Sequence, residues 1–146
     1  MKVVGIIAEY NPFHKGHQFH LDRGREITHA DYVIVVMSGN YVQRGTPAMF
    51  DKYTRAEAAL RSGADLVLEL PVSVATGSAE YFASGAVKML ADTGIVTDLC
   101  FGSECGSLMD LQKLADILAK EPEEYQILLR KYLKEGMSFP AARADR

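Results

Sequence analysis

Four short, mainly apolar runs constrain this chain most: Val3–Ala8, Tyr32–Met37, Leu66–Leu70 and Thr97–Phe101. Each is too short for a buried helix and rich in Val, Ile and Leu. Each reads as a strand that is apolar on both faces and so buried on both sides. The stretches between them carry helical patterning. His17–Thr28 has Phe19, Leu21 and Ile27 among polar residues. Asp51–Ser62 sets Tyr53, Ala56, Ala59 and Leu60 inward and is ended by Gly63. Ser78–Ala91 is ended by Asp92–Gly94. Ser38–Phe50 is a loop rich in Gly, Asn and Pro.

Strands alternating with helices predict a parallel sheet covered on both faces, an α/β doubly wound fold of the Rossmann-like kind. Ligands of such sheets bind at the carboxyl ends of the strands. That rule gathers Glu9–His17, Ser38–Arg44 and Gly102–Glu104 on one rim.

After the fourth run the pattern becomes purely helical, which divides the chain into a core over 1–105 and C-terminal helices over 106–146. Leu108–Lys120 is amphipathic through Leu111, Leu114, Ile117 and Leu118, and Pro122–Glu135 follows with proline in its first turn. Gly136 stops it, and Ser138 opens a further helix that is still running at Arg146. A helix begun so late predicts a fragment of something longer.

Bulk properties exclude several classes. No apolar run approaches the roughly 18 residues of a membrane helix. Glu9, Asn11 and Pro12 stand where a signal peptide would have its cleavage site, so a cytoplasmic protein without membrane contact is expected. The formal net charge of −3 argues against the whole chain being a nucleic-acid grip. The charge is uneven, with eight Lys or Arg against six Asp or Glu in residues 1–62 and eight against thirteen in the rest. A local anion site in the first half fits that distribution. Cys100 and Cys105 are separated by four residues, which matches neither a redox CxxC pair nor half of a zinc site, so two unpaired thiols are expected.

The sharpest chemical signal is Asn11-Pro12-Phe13-His14-Lys15-Gly16-His17, directly after the first strand. Pro12 and Gly16 tighten the turn, and the following helix N-terminus offers N–H groups and a positive dipole end to a phosphate. Two imidazoles three residues apart would face the same anion and donate to charge growing in a transition state. His14, His17 and His20 also share helical spacing suited to a metal. No carboxylate or cysteine joins them in sequence, so no metal site is assigned. His29 reads as an exposed helix end.

This HxGH pattern after a first strand resembles the nucleotidyltransferase superfamily that includes the class I aminoacyl-tRNA synthetases. The segments GIIAEYNPFHKGHQFHL (5–21), SGNYVQRGTPAMFDKYTRAEAAL (38–60), GADLVLELP (63–71), CFGSE (100–104) and GMSFPAAR (136–143) resemble the tRNA(Met) cytidine acetate ligase family. That resemblance implies a nucleotidyltransferase fold of the HUP type. It also implies joining of acetate to AMP at the expense of ATP, then transfer of the acetyl group to N4 of the wobble cytidine of elongator tRNA(Met). The implied ATP loop comprises Ile7, Ala8, Glu9, Tyr10, Asn11, Pro12, Phe13, His14, Lys15, Gly16, His17, Gln18, Phe19 and His20. His14 and His17 would lie on the phosphates and Gly102 near the adenosine. Mg²⁺ is expected with ATP. The family also uses an asparagine and an arginine in later segments that this chain does not contain. Two other readings fit the core and the histidines: an adenylyltransferase acting on a mononucleotide or phosphopantetheine, and a truncated, non-catalytic ATP-binding module.

Arg44, Lys52 and Arg55 are candidate contacts for acetate, pyrophosphate or the tRNA backbone. A solvated surface charge is the competing reading, and the stronger one for Lys52 and Arg55. Glu69 reads either as a supporting partner of the site or as a cap near Ser73. Tyr10, Phe13, Phe19 and Tyr41 are candidates to stack on a base, although core packing suits Phe19 better.

Overall fold

In the computed structural model, which describes residues 1–144, the four apolar runs form one parallel sheet. The strands are β1 (Val3–Ala8), β2 (Tyr32–Ser38), β3 (Leu66–Leu70) and β4 (Asp98–Cys100), ordered β3-β2-β1-β4. Register pairs Ile6 with Val35 and with Cys100, and Val36 with Leu68. The order reverses between β1 and β4, so a crevice is expected at their carboxyl ends.

Side chains alternate across β2 and divide the core in two. Val33, Val35 and Met37 pack with Leu21 of α1 (Lys15–Thr28) and Ala59 of α2 (Lys52–Arg61). Ile34 and Val36 face the other way, against Ala75 of α3 (Val72–Ala75) and Ala86 and Leu90 of α4 (Ala79–Asp92). The sheet is therefore doubly wound. Burying one such Val or Leu is worth roughly 1.5–3 kcal/mol, so β1 and β2 anchor the domain. Gly5 permits the close approach of α4, because a Cβ there would lie 2.8 Å from Leu90 Cδ1. Local caps match the helix starts: Asp51 accepts from Tyr53 N and Thr54 N, and Ser78 Oγ from Tyr81 N.

Four expectations are corrected. Phe19 is 67% exposed rather than packed in the core. At 100° per residue it lies across the helix from Leu21, which takes the buried position. Tyr53 and Leu60 are exposed as well, because α2 buries a narrow stripe through Arg55 and Ala59. The edge strands are only partly covered, with Leu66 and Leu99 both exposed. The short helix α3 lies between Pro71 and Ser78, where no element was expected.

The chain forms two compact units, one over Met1–Gly102 and a second from Ser103 onward. The second holds α5 (Leu108–Lys120), α6 (Glu123–Lys134) and α7 (Phe139–Ala144). Ser107 Oγ caps α5 by accepting from Asp110 N, and Ser138 O accepts from Ala142 N at the start of α7. The continuation of this last helix to Arg146 lies outside the described residues. Among the described residues no helix is long and apolar enough to cross a membrane. Cys100 and Cys105 are both free thiols.

Candidate functional site

The turn after β1 is built on buried aromatic packing. Tyr10 adopts a left-handed φ of 49° and buries its ring, and the Asn11–Pro12 bond is cis. The Tyr10 ring meets Phe13 edge-on at 4.8 Å and His17 at 4.9 Å. Its hydroxyl is buried without a hydrogen-bond partner. Burial pushes its pKa well above the usual phenol range, so it stays protonated. Tyr10 is thus a floor for the histidine turn, not a platform open to a base. Phe19 and Tyr41 are the exposed aromatics of the four proposed for stacking, and Phe13 is half-buried.

Helix α1 starts at Lys15, two residues earlier than the sequence suggested, because His14 acts as its N-cap. His14 Nδ1 accepts from Gly16 N at 3.1 Å, and His17 Nδ1 accepts from His14 N at 3.2 Å. The two rings stack with centroids 3.7 Å apart and planes 25° apart. Gly16 makes room for this, since a Cβ would sit 3.0 Å from His14 Cε1. The Gly16 N–H is satisfied by His14.

That reciprocal cap fixes the chemistry of both rings. A neutral imidazole accepts at one nitrogen and donates at the other. With each Nδ1 accepting a backbone N–H, each Nε2 carries the proton and is the nitrogen available to a ligand. His17 has a lowered pKa, first from burial and then from the nearby charges of His14 and His20. Burial lowers His20 too. His20 lies against Cys100, with Nε2 3.5 Å from Sγ, and burial raises the pKa of that thiol. Among the described residues no three His, Cys, Asp or Glu side chains are placed to hold a metal ion.

The cations sort differently from expectation. Arg55 is not a solvated surface charge. It is 1% exposed and donates only to backbone carbonyls, those of Phe50, Glu9, Ser38 and Gly39. With four of its five N–H donors bound inside and its side chain buried, it presents no surface to acetate or tRNA. Nothing in the residue pattern signals this, because backbone acceptors leave no signature in residue type. Lys52 pairs with Glu69 Oε2 at 2.6 Å, which raises its pKa and makes Glu69 its partner rather than a cap at Ser73. Arg44 is exposed, with a left-handed φ of 68° in the short 3₁₀ turn Gln43–Gly45. Glu9 Oε1 accepts from Gln43 N at 2.7 Å and Asn11 Oδ1 from Met49 N at 2.6 Å, tying that loop to the histidine turn. A Cβ at Gly102, two residues past β4, would meet no protein atom within 4 Å, so space beside it is open.

A doubly wound parallel sheet with stacked, Nδ1-capped histidines at its first strand-to-helix turn defines a class of α/β protein adapted to bind phosphate groups. The chain belongs to the HIGH Nucleotidyl Transferase family, whose model matches residues 1–146. It is 56% identical over 143 residues to the tRNA(Met) cytidine acetate ligase of Acetivibrio thermocellus, covering 98% of this chain and 34% of that protein. It is 54% identical over 145 residues to the protein of the same name from Clostridium perfringens strain SM101, covering 99% and 36%. The chain therefore spans about a third of the length of the curated relatives it matches. A crystal structure of Thermotoga maritima TmcAL bound with alpha-thio ATP superimposes with a TM-score of 0.90 at 57% identity, over 98% of this chain and 34% of that one.

Proposed function

We propose that this chain is the ATP-handling part of a tRNA(Met) cytidine acetate ligase acting in the cytoplasm. The observation that carries the reading is the pair of imidazoles whose Nε2–H groups remain available at the N-terminus of α1. Residues Ile7 to His20 hold the triphosphate and Gly102 leaves room for the adenosine; that a Thermotoga relative is bound with an ATP analogue supports ATP as the ligand. Mg²⁺ comes with the phosphates of ATP, whose charge it neutralises.

In the first step a carboxylate oxygen of acetate attacks the α-phosphorus. The bond from that phosphorus to the bridging oxygen breaks, and pyrophosphate leaves with the electron pair. His14 and His17 donate from Nε2 to the phosphoryl oxygens as charge builds. In the second step the N4 amine of the wobble cytidine of elongator tRNA(Met) attacks the acetyl carbon. AMP departs and the amine loses a proton. Arg44, exposed and held in its turn, is the candidate contact from this chain to acetate or tRNA.

The test supplies ATP, Mg²⁺ and acetate and follows acetyl-AMP and pyrophosphate. Acetyl-AMP is the expected product. A dinucleotide formed from an added mononucleotide would point to the other adenylyltransferase reading. ATP binding without any turnover would point to a binding module.

A further inference from the structure

Arg55 is a fully buried cation that forms no ion pair among the described residues; carbonyls satisfy it instead. Its Nε donates to Phe50 O at 3.0 Å, one terminal nitrogen donates to Glu9 O at 2.6 Å and Ser38 O at 3.1 Å, and the other donates to Gly39 O. These four acceptors come from three places. Glu9 leads out of β1 into the histidine turn, Ser38 ends β2 with Gly39 directly after it, and Phe50 closes the long loop before α2. One guanidinium therefore holds both ends of the 39–50 loop and the entrance to the turn that bears His14 and His17. Tyr10, whose left-handed backbone starts that turn, directly follows the clamped Glu9 carbonyl.

We propose that Arg55 is a positioning residue that clamps the 39–50 loop to the histidine turn and so presets that turn for ATP, an inference that rests on the reading of this rim as the ATP site. The planar fork is what the task needs. Lysine presents a point charge with no fixed fork and cannot span acceptors on three segments at once. A buried cation is also costly unless each donor is satisfied, so the carbonyls cannot drift apart while Arg55 remains inside. The loop then transmits its position onward through two further bonds, Gln43 N to Glu9 Oε1 and Met49 N to Asn11 Oδ1.

Hydrogen exchange on the 146-residue chain tests the clamp without relying on turnover. In Arg55→Gln, the amides of Gln43, Ala48 and Met49 are expected to exchange roughly 10- to 100-fold faster, as loss of one or two charge-assisted bonds implies. The β2 amides should stay protected. Methylguanidinium added to Arg55→Ala should restore protection to the loop, which a merely space-filling role would not allow. Unchanged loop exchange in a folded variant would overturn the proposal, as would equal acceleration of loop and sheet. Arg55→Lys is read in the same way if the glutamine variant does not fold, and failure of both to fold would make Arg55 a general stability element instead. Binding of ATP·Mg²⁺ is measured on the same samples, with about tenfold weakening expected in the folded variants. If the unaltered chain does not bind ATP, the reading of the rim falls and with it the ATP clause of the proposal. The exchange data then still decide the clamp.

Discussion

His14 and His17 cap one another: His14 N donates to His17 Nδ1 while His14 Nδ1 accepts from Gly16 N, and the rings stack at 3.7 Å. A protonated imidazole has no acceptor nitrogen, so a proton gained by His17 breaks its bond with His14 N.

The first prediction concerns pH. Burial, His14 and His20 lower the pKa of His17, and burial lowers that of His20, both from an ordinary 6.5. A group with a depressed native pKa binds its proton more readily when unfolded. Its stabilising contribution is complete above about pH 6.5 and is lost as the pH falls through the native value. Tm should therefore fall as the pH is lowered below about 6.5, and replacing His17 and His20 by Gln should flatten that slope. A thermal-melt series across this range decides it. A slope that both replacements leave intact would assign the effect to other groups.

The start of α1 shows how far the sequence could be read. The turn was legible because Pro12, Gly16 and two histidines follow an apolar run. The helix boundary was not, since histidine is not among the usual N-cap residues and its Nδ1 took that role only through this geometry. The central strands were legible for a simple reason: β1 and β2 are covered on both faces and show no alternation. Arg55 was illegible because charged residues are ordinarily placed outside, and its acceptors are backbone atoms brought together by topology. Phe19 erred the other way, since an apolar residue need not be buried, and helical phase sets it opposite Leu21.

Replacing His17 by Ala should slow acetyl-AMP formation on the order of 100- to 1,000-fold, the usual cost of one transition-state donor. ATP affinity should change by less than about tenfold, because the proposed bond matters most as charge develops at the α-phosphate. Single-turnover rates beside equilibrium binding separate the two. Equal losses in both would mean that His17 only holds the ground state.

Tyr10 allows a stability prediction of opposite sign to most core substitutions. Its ring is packed against Phe13 and His17, but its buried hydroxyl has no partner. Leaving such a group unpaired costs about 1–3 kcal/mol. Tyr10→Phe keeps the ring and removes the hydroxyl, so it should raise Tm by several degrees, roughly 4–8 °C per kcal/mol for a domain of about 100 residues. Chemical denaturation gives an independent value. A lower midpoint with an unchanged m-value would reveal that the hydroxyl has a stabilising partner in solution.

The last prediction is that this chain binds tRNA weakly even where it binds ATP. Affinity for a nucleic-acid backbone grows with the number of phosphates that Lys and Arg neutralise. Among the described residues, six of the chain's sixteen Lys and Arg pair with local acids. Arg23 pairs with Glu26, Arg25 with Asp65, Lys52 with Glu69, Arg61 with Glu57, Lys88 with Asp92 and Lys113 with Asp110. Arg55 is buried, and the net charge is −3. Most of these pairs are exposed and individually weak, so they can open, but each phosphate contact must then compete with a carboxylate. Mobility-shift titrations at low and physiological salt, run beside the longer Acetivibrio relative, should give much the weaker binding for this chain. Its log–log salt slope should correspond to no more than about three phosphates. Tight and steeply salt-dependent binding by the 146 residues alone would show that the tRNA surface is already here. Arg44→Ala would then be the first substitution to make, because that side chain is exposed and sits on the rim loop tied to the histidine turn.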